Sequence, residues 1–276
     1  MQLRCRKPHP PLDAFVETMW IAQSEPRPFA LERLLPTGSA SLIVNLGEDQ
    51  VRRYHFDPRR VMETNPGAVL AGTSSRYAVI DTREQEYVAG VAFRCGGTAP
   101  FFRTPAHETR DADVSLQALW GRSRATRLRD RLLAAAGPDA ELDALEAELM
   151  EALTPARPHA AVLYALARFG QGASVAAVAE AAGLSAKRFI ERFKTDTGLT
   201  PKRHIRLVRF RRALARAHAG VNVEWARLAA DCGYYDQAHF VRDFRDFSGI
   251  APSGYASART VFENHVKFVQ DTRAKA

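Results

Sequence analysis

The chain has 276 residues, 46% of them hydrophobic, a length that suggests two domains with real cores. No run of about 18 apolar residues occurs, which argues against a transmembrane helix, and the basic start MQLRCRKPHPPL lacks the apolar stretch of a signal peptide, so a cytoplasmic location with no membrane partner is expected. Cys5, Cys95 and Cys232 are odd in number and far apart, which fits reduced thiols and excludes a disulfide framework or a Cys-based zinc site. The net charge of +8 is lopsided: residues 158–276 carry 19 Lys/Arg against 10 Asp/Glu, and residues 1–157 carry 20 against 21. A basic half beside a neutral half suggests a polyanion reader joined to something else; a mere solubility charge would not need to coincide with the motif described below.

Residues 1–100 read as β-rich. Apolar or alternating runs recur at Val16–Ala22, Ser41–Leu46, Val51–Phe56, Ala68–Ala71, Tyr77–Thr82 and Tyr87–Phe93. Turn signals such as Pro36-Thr37-Gly38, Asn65-Pro66-Gly67 and Gly96-Gly97 separate them, which predicts a small β-barrel or sandwich. Gly97–Phe102 reads as a short helix. Two Ala/Leu-rich helices follow, Arg124–Ala136 and Ala140–Leu153, with Asp139 as the expected N-cap of the second. Residues 1–153 are thus expected as one domain with trailing helices, and Thr154-Pro155-Ala156-Arg157-Pro158 as a linker, because its two prolines stop a helix.

From His159 the pattern is helical, and it repeats. With Ser185 and Asp236 as helix N-caps, phenylalanines lie four and eight residues on, at Phe189 and Phe193 and at Phe240 and Phe244. Glycines lie thirteen on, at Gly198 and Gly249, and prolines sixteen on, at Pro201 and Pro252. Upstream, Val178-Ala179 precedes Gly183 as Leu228-Ala229 precedes Gly233. The upstream offset is fifty and the downstream offset fifty-one, so the second turn holds one extra residue. Each copy reads as helix, glycine turn, second helix: Val175–Ala182 and Ser185–Thr197, then Glu224–Asp231 and Asp236–Ser248. Pro201 starts a basic helix that runs to about His218 and joins the copies.

This is the pattern of a helix-turn-helix, whose second helix enters the major groove by its N-terminal end. The phenylalanines form a core stripe and touch no DNA. The readers lie between them: Lys187, Arg188, Ile190 and Glu191 in the first copy, and Gln237, Ala238, Val241 and Arg242 in the second. Arg242 suits a guanine, Gln237 an adenine, Glu191 a cytosine amine, and Ala238 and Val241 a thymine methyl; the alternative for each is a solvated surface side chain. Lys194 and Arg245, with Lys202, Arg203, Arg206 and Arg211 of the joining helix, are expected at phosphates, which position without specifying. Eighteen residues of helix span roughly 27 Å. Adding the width of the motifs brings the two reading helices about one DNA turn apart, ~34 Å.

Residues 159–256 resemble the DNA-binding domain of AraC/XylS-type transcriptional regulators. The resemblance rests on GYYDQAHFVRDFRDFSGIAPSGY (Gly233–Tyr255) and on VAEAAGLSAKRFIERFKTDTGLTPKRHI, which matches more loosely but in order. It implies two helix-turn-helix subdomains joined by a long helix, with promoter DNA and RNA polymerase as partners. Carried over by position, it makes Lys187, Arg188, Glu191, Gln237, Ala238 and Arg242 the base readers. Ala238 departs from the pattern, since members often carry a polar side chain there. The first half is similar, more weakly, to the N-terminal domain of one AraC-type subgroup, through LLPTGSASLIVNLGE (Leu34–Glu48), VAGVAFRCGGTAPFF (Val88–Phe102) and Leu119-Trp120-Gly121. That resemblance implies a β-barrel, cupin-like domain that binds a small effector or forms a homodimer. The whole is therefore expected as an α+β chain: a β-rich domain over 1–153, a linker over 154–158, an all-α DNA-binding domain over 159–256 and a tail over 257–276.

His9, His55 and His107 are isolated and form no H-x-H pair, so neither metal nor cofactor is expected. Tyr77, Phe93 and Arg94 are the candidate effector pocket, with Arg94 toward an anion; the competing readings are strand core and a salt bridge. Cys95 is either a redox sensor or an inert thiol. Two other functions compete with a regulator. One is an alkyl-acceptor repair enzyme fused to the same module, against which stand the missing four-Cys cluster and acceptor motif. The other is a structural or protein-binding use of the helices.

Overall fold

The computed structural model describes residues 2–25, 31–54, 61–220 and 223–268; His55, Phe56 and Val269 lie outside the described residues. Among the described residues the first part holds ten strands: β1 (Gln2–Arg6), β2 (Val16–Gln23), β3 (Leu31–Leu34), β4 (Ser41–Asn45), β5 (Gln50–Tyr54), β6 (Val61–Pro66), β7 (Ala68–Ala71), β8 (Ala78–Asp81), β9 (Tyr87–Phe93) and β10 (Asp113–Ser115). Helices α1 (Leu116–Trp120), α2 (Arg122–Ala134) and α3 (Pro138–Ala152) follow. The second part is helical: α4 (Ala160–Phe169), α5 (Val175–Ala181), α6 (Ala186–Thr197), α7 (Pro201–Ala219), α8 (Trp225–Asp231), α9 (Gln237–Ser248) and α10 (Pro252–Ala258). A last strand, β11, covers His265–Lys267.

The strands form two antiparallel sheets, in the orders β1-β2-β9-β4-β7-β10 and β11-β3-β8-β5-β6. β4 and β9 are central and read as near-continuous apolar runs because both of their faces are covered. Leu42, Val44, Val91 and Phe93 are fully buried there, and Leu128, Leu132, Leu142, Leu145 and Leu149 of α2 and α3 join the same core. The trailing helices thus belong to the β-rich unit. The Tyr87 hydroxyl of β9 reinforces this by donating to Glu141 of α3 at 2.5 Å, and buried Glu148 of α3 ties the two helices together, accepting from Arg124 at 2.6 Å and Arg131 at 3.0 Å.

Two local expectations fail. Residues 97–102 form turns, not a helix. Pro100 has no N–H to give, and the Pro100 and Phe101 carbonyls accept instead from Thr154 and the Trp120 indole. The N-cap of α3 is Gly137, with Pro138 at the first helical position and Asp139 inside the first turn. Asp139 there pairs with Arg4 of β1 at 2.8 Å.

The two halves are in close contact. β11 pairs with β3, placing His265 opposite Leu34 and Val266 opposite Arg33, so the segment after the helices completes the edge of an N-terminal sheet. The Glu32 carboxylate, fully buried, meets His265 Nδ1 at 2.6 Å. Arg33 lies over Phe268 at 4.2 Å and over Tyr77 at 5.5 Å.

Candidate nucleic-acid interface

Each motif is built by the same local devices. Ser174 and Ser185 cap α5 and α6 by accepting from the amides of Ala177 and Arg188. Asp236 caps α9 by accepting from the His239 amide at 2.6 Å. Gly198 and Gly249 end the second helices at φ of 81° and 71°, left-handed values that glycine adopts without steric cost. α7 begins with Pro201 at its first position and Thr200 as its cap.

The apolar stripes then fold each motif. Phe189 and Phe193 are fully buried with Val178, Ala179, Val162, Ala165 and Phe169, and the Phe169 and Phe193 rings lie 5.7 Å apart. Phe240 and Phe244 are equally buried, stacked and edged by Trp225, Phe210 and Tyr255. Half-buried His239 packs edge-on to Tyr234 at 5.3 Å and sits 3.7 Å from Asp243, so it is a packing residue.

What remains on the outer faces is the candidate reading surface. Lys187, Arg188, Glu191 and Arg192 are exposed and, with His159, Leu184 and Thr195, line one shallow hollow. Gln237, Ala238, Arg242 and Arg245 are exposed and line a second with half-buried Val241. The structure therefore brings together the expected residues of each face, except that Ile190 and Lys194 are half-buried and outside the first hollow. Sequence reasoning missed Arg192, Thr195 and His159. Arg188, Arg192 and Thr195 follow an i, i+4, i+7 spacing that was open to notice; His159 comes from α4's cap and left no such signal.

The opposite ends of the reading helices are seated on the β-rich unit. A Cβ on Gly198 would lie 3.1 Å from Thr73 and from the Ala106 carbonyl, and one on Gly249 would lie 2.3 Å from the Tyr77 ring. The Ala106 amide donates to the Thr195 carbonyl at 2.9 Å. The C-terminal ends of α6 and α9 are thus docked, while Lys187, Arg188, Gln237 and Ala238 at their N-terminal ends face solvent.

The joining helix separates its basic residues into two groups. Lys202 and Arg211 are exposed, and no ion pair holds either among the described residues. Arg203 and Arg206, expected at phosphates, are turned inward. Arg206 meets Asp243 at 2.7 Å and Asp246 at 2.8 Å; Arg203 meets Asp246 and the Ser75 carbonyl and lies over Phe247 at 4.2 Å. Hydrogen bonding to Asp243 raises the Arg206 pKa. Burial opposes ionisation of Asp246, but the hydrogen bonds and charges of Arg203 and Arg206 outweigh it and hold its pKa below the usual value.

The effector residues Tyr77, Phe93 and Arg94 do not share a pocket. Phe93 is fully buried in the N-terminal core against Phe101 and Phe102. Arg94 is exposed and donates to the Asp13 carbonyl at 2.8 Å. Tyr77 lies between Arg33 and Gly249, at the junction of the halves. Burial pushes the Cys95 thiol up to about 12, which disfavours the thiolate; its Sγ sits 3.9 Å from His204 Nδ1. His204 packs against Phe193 and Phe169, and burial, then the charge of Arg211, lowers its pKa to about 4.

Comparison with known proteins agrees with this arrangement. Residues 178–258 match a helix-turn-helix domain family, and residues 4–115 match a domain of unknown function. The comparison with curated proteins returned no match. Among solved structures, the chain resembles the C-terminal domain of AraT, a response regulator from Geobacillus stearothermophilus, at 20% identity over 39% of this chain and 92% of that one, with a TM-score of 0.35. It resembles an apo ToxT variant from Vibrio cholerae at 9% identity over 87% of this chain and 97% of that one, with a TM-score of 0.46. A DNA-binding transcriptional dual regulator from Escherichia coli K-12 is similar at 18% identity over 35% of this chain and 91% of that one, with a TM-score of 0.29. These likenesses are distant, and the family match at 178–258 is what identifies the helix-turn-helix domain. The chain thus carries a helix-turn-helix domain over residues 178–258, preceded by a β-rich domain of unknown function matched over residues 4–115.

Proposed function

We propose that one copy of this protein reads two successive major-groove segments, α6 entering one and α9 the next, and that the reading is modulated through the N-terminal domain. The observation that carries this is the common orientation of the two motifs: both C′ glycines back onto the β-rich unit, and both N-terminal reading faces are exposed. Lys187, Arg188 and Glu191 read the first segment, and Gln237, Ala238 and Arg242 the second. Lys194, Lys202, Arg211 and Arg245 hold phosphates. Arg203 and Arg206 instead brace α7 against α9. Because the two faces differ in chemistry, the site is asymmetric.

In this reading residues 1–153 are the effector-binding or dimerisation unit, 154–158 the linker and 159–256 the DNA-binding unit. RNA polymerase is the partner at the promoter. The described part of the tail 257–276 belongs physically to the first unit's sheet. The test is genome-wide mapping of bound DNA for wild type and Arg242→Ala. The expected outcome is a loss of ~1–3 kcal/mol confined to one base position. Unchanged site preference for Arg242→Ala rejects base reading by α9.

A further inference from the structure

The two turns differ by one residue, and backbone hydrogen bonds identify which. Leu184 donates to the Ala179 carbonyl at 3.0 Å, and Tyr234 donates to the Ala229 carbonyl at 3.1 Å, so these two are equivalent at an offset of fifty. The caps Ser185 and Asp236 are equivalent at an offset of fifty-one. Tyr235 is therefore the added residue, with no counterpart in the first motif. The helix after it starts normally because Asp236 stretches to φ −150° and ψ 171°, where Ser185 has φ −63° and ψ 149°.

The side chain so inserted is 93% exposed, and the turn that carries it is pinned. Tyr234 points inward, 6% exposed, against Phe240 at 5.2 Å. Arg209 of α7 lies over the Tyr234 ring at 5.6 Å and donates to the Gly233 carbonyl at 3.3 Å. Tyr235 lies in the bend that follows, with its side chain outward while that of Tyr234 is held inward. Its exposed neighbours along the chain, Gly233, Asp236 and Gln237, are not apolar, so Tyr235 does not extend an exposed apolar run. It stands just before the N-terminal end of the helix that enters the groove, where the flanking sugar–phosphate strand passes.

We propose that Tyr235 is a backbone-positioning residue of the DNA interface, its ring against a deoxyribose and its hydroxyl donating to a phosphate oxygen. This rests on the reading that α9 enters the major groove. A neutral donor releases no counterion, so its contribution is independent of both sequence and salt slope.

The experiment measures affinity and salt dependence of full-length wild type, Tyr235→Ala and Tyr235→Phe on two duplexes. One is cut from the strongest site mapped for wild type, and the other is a scramble of equal length. Tyr235→Ala should weaken both about equally, on the order of fivefold, the scale of one net hydrogen bond with its apolar contact, with unchanged salt slope and unchanged Tm. Tyr235→Phe should fall between. Unchanged affinity of Tyr235→Ala on both duplexes overturns the proposal. So does a loss confined to one base position, or lost transcription at unchanged DNA affinity, which would assign the residue to base reading or to a protein partner. Arg242→Ala run alongside separates the two levels: if it weakens specific binding while Tyr235→Ala does not, only the role of Tyr235 fails.

Discussion

The two helix-turn-helix motifs repeat one pattern yet are different kinds of unit. The first fills its core from its own helices, with Val162, Ala165, Phe169, Val178, Ala179, Phe189 and Phe193. The second shares its core: Leu35 of the β-rich unit and Val266 of β11 are buried in the cluster that holds Phe240, Phe244 and Tyr255, and Tyr77 packs against it. Tyr255 and Arg259 extend the join, the Tyr255 hydroxyl donating to the Glu263 carbonyl and Arg259 to three carbonyls at the end of α7. A repeat in sequence thus hides an asymmetry in packing. A change in the N-terminal domain has a direct packing route to α9, whereas among the described residues it meets the first motif at Thr73 and Ala106, at Gly96 and at the seat of His204.

Substitutions on either side of this asymmetry sharpen it. Phe193→Ala should cost ~3–5 kcal/mol and raise amide exchange in residues 160–197 while α8 and α9 stay protected. Equal loosening of both motifs would erase the distinction. Val266→Asp places a carboxylate at a fully buried position and should cost at least ~3 kcal/mol. Its exchange signature should be the converse, in α8, α9 and β3, although it lies in neither motif.

Acid offers a third probe. The folded-state pKa of His204 is depressed to about 4, so the unfolded chain takes up this proton at higher pH than the folded one. Its contribution is fully present above the unfolded value, near ~6.5, and is lost as pH falls toward about 4, a change on the order of 3 kcal/mol. His204→Gln should flatten the dependence of Tm on pH in that window. If the steepness persists, other groups govern it. The smallest effects concern α7. Lys202→Ala should weaken all DNA sequences about equally, by less than ~1 kcal/mol, and flatten the salt slope. Arg206→Ala should lower Tm and leave the salt slope alone, and a changed slope would return it to the phosphates.

Much of the helical half was legible because its signals are local. Ser185, Asp236, Gly198, Gly249, Pro201 and Pro252 fix helix ends within a few residues of themselves. β7 and β9 were readable as apolar runs between turns. β1 was not, because all but one of its five residues are exposed and it holds by pairing with β2. Arg203 and Arg206 looked like phosphate ligands because their true partners, Asp246 and Asp243, lie about forty residues away and across a helix. Tyr77, Phe93 and Arg94 are near in sequence, and strand geometry sends them to a junction, a core and the surface. The surplus residue of the second turn was visible as an offset; that it is Tyr235 required the hydrogen bonds.

β11 has a consequence for how this chain is made. It joins His265 to Glu32 across 233 positions, so the ribosome exposes β3 long before the strand that covers it exists. Throughout synthesis of the helical half, the Leu31–Leu34 edge offers unpaired amides and carbonyls to any neighbouring chain. The carboxylate of Glu32, which His265 meets at 2.6 Å in the finished fold, is a charge that nascent edge would carry against aggregation in the meantime.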